Sequence, residues 1–184
     1  MTPKHFIIDT NVLLVAALPE HENHASRQAA ASWLQDFGSD SQAILIVDCE
    51  SPPGHSSQFS LRPQFVPSIH FANARSRILL EYRRNLAPNN PYMEIIRTKL
   101  NDSSQSVAVY VDYAGTFAVL DNSIKTRIDP GDGKFVMAVI SFIKHHPMGP
   151  RFRPTIVFAE DFTDWLSCRN ELQNDYHIEL MRLA

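Results

Sequence analysis

The sequence predicts an α/β fold built on a largely parallel sheet. Apolar runs of strand length alternate along the chain with segments of helical periodicity. The first run, Phe6-Ile7-Ile8, passes straight into Asp9 and then into a second apolar stretch, Val12-Leu13-Leu14. A buried strand that hands over to a helix has this form. Breakers rich in Pro, Gly and Asn fall between the periodic segments.

Residues 5–8 read as the first strand, with Asp9 at its carboxyl end and a helix opening at once. Ala25, Ala29, Trp33, Leu34 and Phe37 fall at helical spacing, and 43–47 is a continuous apolar run of strand length. Residues 77–86 and 92–100 read as helices separated by Ala87-Pro88-Asn89-Asn90-Pro91. The β-branched run 107–111 reads as a strand. A helix over 132–145 is announced by Asp129-Pro130-Gly131-Asp132 and ended by Pro147 and Gly149. A strand over 155–158, a helix over 165–174 and a last strand over 177–181 complete the pattern. No repeat or second domain is apparent, so one domain is expected over residues 1–184.

One stretch departs from this order. Residues 51–75 are rich in Pro, Ser, Gln and His, contain no Asp or Glu, and show no periodicity. A loop of this length is uncommon inside a domain. It is expected beside the carboxyl edge of the sheet, where Arg62 could meet a phosphate backbone and Phe59, Phe65 and Phe71 could stack on bases. An extended partner-binding segment and an insertion without a role are the alternatives.

At 184 residues, with 44% hydrophobic content and 11 Phe, the chain is expected to be globular. No apolar run approaches the roughly 20 residues of a membrane helix. The amino terminus lacks signal-peptide form. Cys49 and Cys168 match no metal spacing and suggest a reducing compartment; a cytoplasmic location is expected. The formal charge of −3 excludes a strongly basic nucleic-acid-binding protein. It leaves room for a nuclease whose metal-binding acids lower the net charge. The basic groups around Arg75 and Arg77, Arg97 and Lys99, and Lys144, Arg151 and Arg153 are expected on solvated faces.

Four acids stand in matching contexts. Asp9 ends the first strand. Glu81 lies in Ile78-Leu79-Leu80-Glu81-Tyr82-Arg83-Arg84-Asn85-Leu86. Asp132 stands at the mouth of an apolar helix. Asp161 follows Thr155-Ile156-Val157-Phe158-Ala159-Glu160, with Asp164-Trp165 close behind. Alone, each has a plain structural explanation: Asp9 as a helix cap, Glu81 as a surface charge facing Arg84, Asp132 as a first-turn acid favoured by the helix dipole. Gathered at one sheet edge, four carboxylates would repel one another and invite a cation. Acid-only oxygen sites select Mg²⁺ or Mn²⁺.

In order, spacing and context the four segments resemble the PIN-domain nucleases, in particular single-domain, toxin-type members with a Glu-Tyr-Arg-Arg-Asn-Leu-like second motif and an Asp-x-Asp-Trp fourth motif. The resemblance runs from Phe6 to about Leu180. It implies a three-layer α/β/α arrangement and metal-dependent hydrolysis of a phosphodiester, usually in RNA. It implies Asp9 and Asp132 as direct metal ligands, Glu81 and Asp161 completing the shell, and Thr10 and Asn11 shaping the turn beside Asp9. Arg83, Arg84, Lys134 and Arg62 are the expected substrate-binding residues. An RNA substrate, a small antitoxin protein and a second copy of the chain are the partners it suggests. The chain departs from the pattern in two places. Two residues, not one, separate Asp161 from Asp164, so Asp164 and Glu160 stay as alternatives to Asp161. The family also lacks the 51–75 insertion. Asp129 is expected to form a turn before Pro130, and Asp48 is a further acid at the same edge.

Two other functions compete. A degenerate PIN fold could bind RNA or protein without catalysis. A phosphatase could use Asp9 as nucleophile, but Asp9-Thr10-Asn11 lacks the second Asp that such enzymes carry.

Overall fold

The computed structural model describes residues 4–19, 24–50, 75–113, 120–146, 153–159 and 163–183. Five strands, β1 (Lys4–Ile8), β2 (Ala43–Glu50), β3 (Ser106–Val111), β4 (Thr155–Ala159) and β5 (Glu179–Leu183), form one sheet in the order β3-β2-β1-β4-β5. Every pairing is parallel, with Phe6 opposite Leu45, Ile8 opposite Val157, Val47 opposite Ala108 and Val157 opposite Met181. The α/β expectation holds, and the sheet is wholly parallel. Strand order 3-2-1-4-5 and helices on both faces agree with a PIN-like arrangement.

The helices are α1 (Thr10–Ala16), α2 (His24–Ser39), α3 (Arg77–Asn85), α4 (Pro91–Asn101), α5 (Asn122–Lys125), α6 (Gly133–His145), α7 (Thr163–Ser167) and α8 (Arg169–Asn174). Strand alternation sorts the layers. Phe6 points to Trp33 and Phe37 of α2, at ring distances of 5.6 and 5.9 Å, and its neighbour His5 points the other way, to Phe142 of α6 at 5.0 Å. Helix α2 packs on α1 and α4, and α1 packs on α3, so these four share one layer. Helix α6 lies on the other face, against β1, β2 and β3. It is buried at seven successive positions, Gly133 to Val139, as expected of a helix apolar nearly all round.

Sequence-derived bounds hold for most elements and fail in three places. The helix expected over 165–174 is broken at Cys168, where the Ser167 hydroxyl donates to the Asp164 carbonyl and competes with the helical ladder. The last strand begins two residues late, because His177 takes a left-handed φ of 55° and turns the chain first. Helix α5 was not foreseen; Asp121 caps it through Ser123 N–H at 2.7 Å.

Lys99 also departs from expectation. It is fully buried, and its ammonium donates to the Asp40 and Ala43 carbonyls and to Gln105 Oε1 at 2.6, 3.0 and 2.7 Å. This lysine ties α4 to the starts of β2 and β3 and presents no charge to solvent. Both cysteines are buried free thiols. Among the described residues no helix is long and apolar enough to cross a membrane.

Candidate functional site

The strand order reverses between β1 and β4, which makes their carboxyl ends the natural ligand-binding edge of this sheet. Asp9 stands at that point. Its backbone N–H donates to the Val157 carbonyl of β4 at 2.8 Å, and its side chain caps α1. Oδ1 accepts from Asn11 N–H at 3.1 Å, and Oδ2 accepts from the indole N–H of Trp165 at 3.0 Å. Asp9 is only 2% exposed. Burial raises its pKa above the usual carboxylate value; the Asn11 and Trp165 bonds and the Lys134 charge oppose the rise, and Glu81 adds to it.

Glu81 reaches the same place from α3. Thr10 Oγ1 donates to its Oε1 at 2.5 Å, and Lys134 Nζ pairs with its Oε2 at 2.6 Å. One residue on, the Tyr82 hydroxyl donates to the Ile8 carbonyl at the end of β1. Consecutive side chains of α3 therefore grip the residues on either side of Asp9. The Tyr82 phenol is held well above its ordinary pKa, first by burial and then by the charges of Asp9, Glu81 and Asp48, so it stays a donor.

Asp132 and Lys134 come from the mouth of α6. The turn before them is set by Asp129, whose Oδ1 accepts from Gly131 N–H at 2.6 Å, the turn-forming role expected for it. A Cβ on Gly131 would stand 2.8 Å from that oxygen, so a larger residue here would push the Asp129 carboxylate aside. Asp132 caps no N–H of α6. Its pKa is pushed up to about 7, mostly by burial, then by Asp9, with Asp129 and Glu81 adding and Lys134 opposing. Lys134 is buried; its ammonium also donates to the Gly131 carbonyl and lies 4.3 Å from the Phe135 ring centroid.

Asp9, Glu81, Asp132 and Lys134 thus form one electrostatically coupled group. The Thr10 hydroxyl holds Glu81, while Asn11 serves Asp9 through its backbone N–H. Asp161, Glu160, Arg62 and nearly all of the 51–75 insertion lie outside the described residues. Asp164 is half-buried in the first turn of α7. Lys134 and Glu81 act on Asp9, and Asp9, Lys134, Asp129 and Glu81 act on Asp132. Arg83 donates to the Leu79 carbonyl and lines a cavity of about 390 Å³ between α3 and α4, with Leu79, Leu86, Met93 and Ile96. Arg84 is exposed.

Asp48 is at the same sheet edge but is already saturated. It is fully buried and accepts from Ser76 Oγ, Tyr113 OH, Arg77 N–H and Ile78 N–H at 2.5, 2.5, 2.8 and 3.1 Å. These bonds tie the start of α3 to the end of β2, and the Arg77–Glu50 pair at 2.5 Å reinforces them.

Two parts of the site carry no clear sequence signal. The Trp165–Asp9 bond joins residues 156 apart, and the Lys134–Glu81 pair joins the second and third motifs. Trp165 stands in the fourth motif, but nothing in that motif names Asp9 as its partner. Among the described residues, no three His, Cys, Asp or Glu side chains converge as a metal-binding group; Glu81 has both oxygens on Thr10 and Lys134. No protein-family model matches the chain, and comparison with curated proteins and with solved structures gives no match.

Proposed function

We propose that the chain is a metal-dependent nuclease of the PIN type, an endoribonuclease that hydrolyses phosphodiester bonds. The observation that supports this reading is electrostatic: near the point where the strand order reverses, Asp9 and Glu81 both raise the pKa of Asp132, and Glu81 raises that of Asp9. The donor set fits a hard divalent cation. It is all oxygen, and Asp132 is a half-buried carboxyl with no capping bond and a pKa raised to about 7, so a countercharge would be welcome there. Asp9, Glu81 and Asp132 would hold the ion, with Asp161 or Asp164 completing the set. A bound Mg²⁺ or Mn²⁺ supplies charge for activating water and for stabilising the phosphate and leaving oxygens.

The chain's own groups do the positioning. Asn11 N–H and the Trp165 indole fix the two oxygens of Asp9, Thr10 fixes Glu81, and Tyr82 holds α3 against β1. Single-stranded or structured RNA is the proposed substrate, and a cytoplasmic setting, a small antitoxin and self-association belong to the same proposal. The competing reading, a binding module without catalysis, draws on the engagement of Glu81 with Lys134.

Purified Asp9→Asn and Asp132→Asn should each lose Mn²⁺-dependent cleavage of single-stranded RNA by at least about a hundredfold while keeping the wild-type circular dichroism spectrum. Full activity in either variant would sink the proposal. Asp161→Ala should abolish cleavage and Asp164→Ala should mainly cost stability; the reverse result transfers the fourth ligand to Asp164.

A further inference from the structure

Lys134 is an ammonium group in an unfavourable place. It is the second residue of α6, at the positive end of the helix dipole, and it is buried. Three features retain it: the 2.6 Å pair with Glu81, the Gly131 carbonyl, and the ring of Phe135. Its charge also acts on Asp9 and Asp132. Among the described residues, Lys134 is therefore a cation that balances this group of acids. Glu81 cannot offer Oε2 freely to a metal while that pair stands, because Thr10 holds its other oxygen.

We infer that Lys134 is a positioning residue that holds Glu81 in the metal-free protein and releases it when a divalent cation binds. The inference rests on the metal-site reading above. The exchange is one of charge for charge: the carboxylate gains a dication and the ammonium moves away from it. A positive group within a few ångströms of a dication opposes binding even at the effective dielectric of a protein. Lys134 should thus weaken metal affinity while stabilising the protein without metal.

Calorimetric titration with Mn²⁺ tests this on wild type, Lys134→Gln, Lys134→Met and Asp9→Asn. Both Lys134 variants should bind Mn²⁺ about tenfold or more tightly than wild type, yet melt at lower temperature in chelator. Lysine with a merely structural role predicts the lower melting temperature without the tighter binding. If wild type binds Mn²⁺ and the variants bind it equally or more weakly, the exchange is wrong and the metal site stands. If wild type binds no Mn²⁺, or Asp9→Asn binds it as well as wild type, the metal-site reading itself falls.

A second measurement needs no substitution. Lys99 and Lys134 are the two buried lysines among the described residues, so ¹⁵N-lysine labelling should give two protected ammonium signals. Saturating Mg²⁺ should shift or erase the Lys134 signal and leave Lys99, which is bonded to Asp40, Ala43 and Gln105, in place. Two unmoved signals in protein that calorimetry shows to be loaded would overturn the exchange.

Discussion

A carboxyl group held partly out of water near other acids is a liability to the fold. Asp132 is the clearest instance: burial and Asp9 together push its pKa up to about 7, and no capping bond compensates it. Asp132→Asn should therefore raise the melting temperature of chelator-treated protein by a few degrees at pH 8, while removing activity. A lower melting temperature than wild type there would show that the Asp132 carboxylate is stabilising. Trp165 acts through Asp9. Trp165→Phe keeps most of the buried ring and deletes the N–H on Oδ2, so Mn²⁺ affinity should fall about tenfold, as for other groups that orient a metal ligand. Unchanged affinity in a folded variant would reduce Trp165 to packing against Phe135 and Phe158.

At the scale of elements, α3 decides whether the site exists, because Glu81 must arrive from outside the sheet. Its first residues are bonded to Asp48 at the end of β2, and Tyr82 bonds the end of β1. Asp48→Ala would leave Ser76, Tyr113 and two backbone N–H groups without their acceptor, and should cost about 2–4 kcal/mol in urea unfolding. A loss under 1 kcal/mol would mean that the clamp is not what seats α3. The same clamp lies just beyond the end of the 51–75 insertion. Replacing 51–75 with a short Gly-Ser linker should therefore spare Mn²⁺ binding, because Asp48, Ser76 and Arg77 remain to seat α3. RNA affinity and its salt slope should fall if the segment grips the phosphate backbone. Unchanged affinity and slope would remove it from the substrate surface.

For the whole molecule the raised pKa values have a consequence for pH. Asp132 has a folded pKa of about 7 against an ordinary 3.8, and Asp9 is also raised. Between those values the folded protein keeps protons that the unfolded chain has released. Raising the pH through that window therefore favours unfolding, and the contribution of these two acids to stability falls as pH rises. In chelator, Asp132→Asn should flatten the decline in melting temperature between pH 5 and pH 8, and saturating Mn²⁺ should flatten it in wild type. A hundredfold excess of Mn²⁺ over its dissociation constant should add about 2.7 kcal/mol at neutral pH by mass action. Equal pH slopes with and without Mn²⁺ would count against these carboxylates as the binding group.

The sequence by itself determined the alternation of strands and helices, the parallel sheet, and the placing of Asp9 at a strand end. Those features follow from local periodicity and from breakers such as Ala87-Pro88-Asn89-Asn90-Pro91, which act over a few residues. It also picked out Glu81 and Asp132 as acids worth bringing together. Tertiary structure alone decided how they are held. Trp165 meeting Asp9, Lys134 meeting Glu81, and Asp48 being consumed by four donors are contacts across 28 to 156 residues. No local pattern encodes them, because hydrogen-bonding partners are chosen by the packing of α3 and α6 over one sheet edge. Lys99 makes the same point in reverse: an ordinary surface residue by composition, it is buried because three acceptors converge where α4 crosses the starts of β2 and β3.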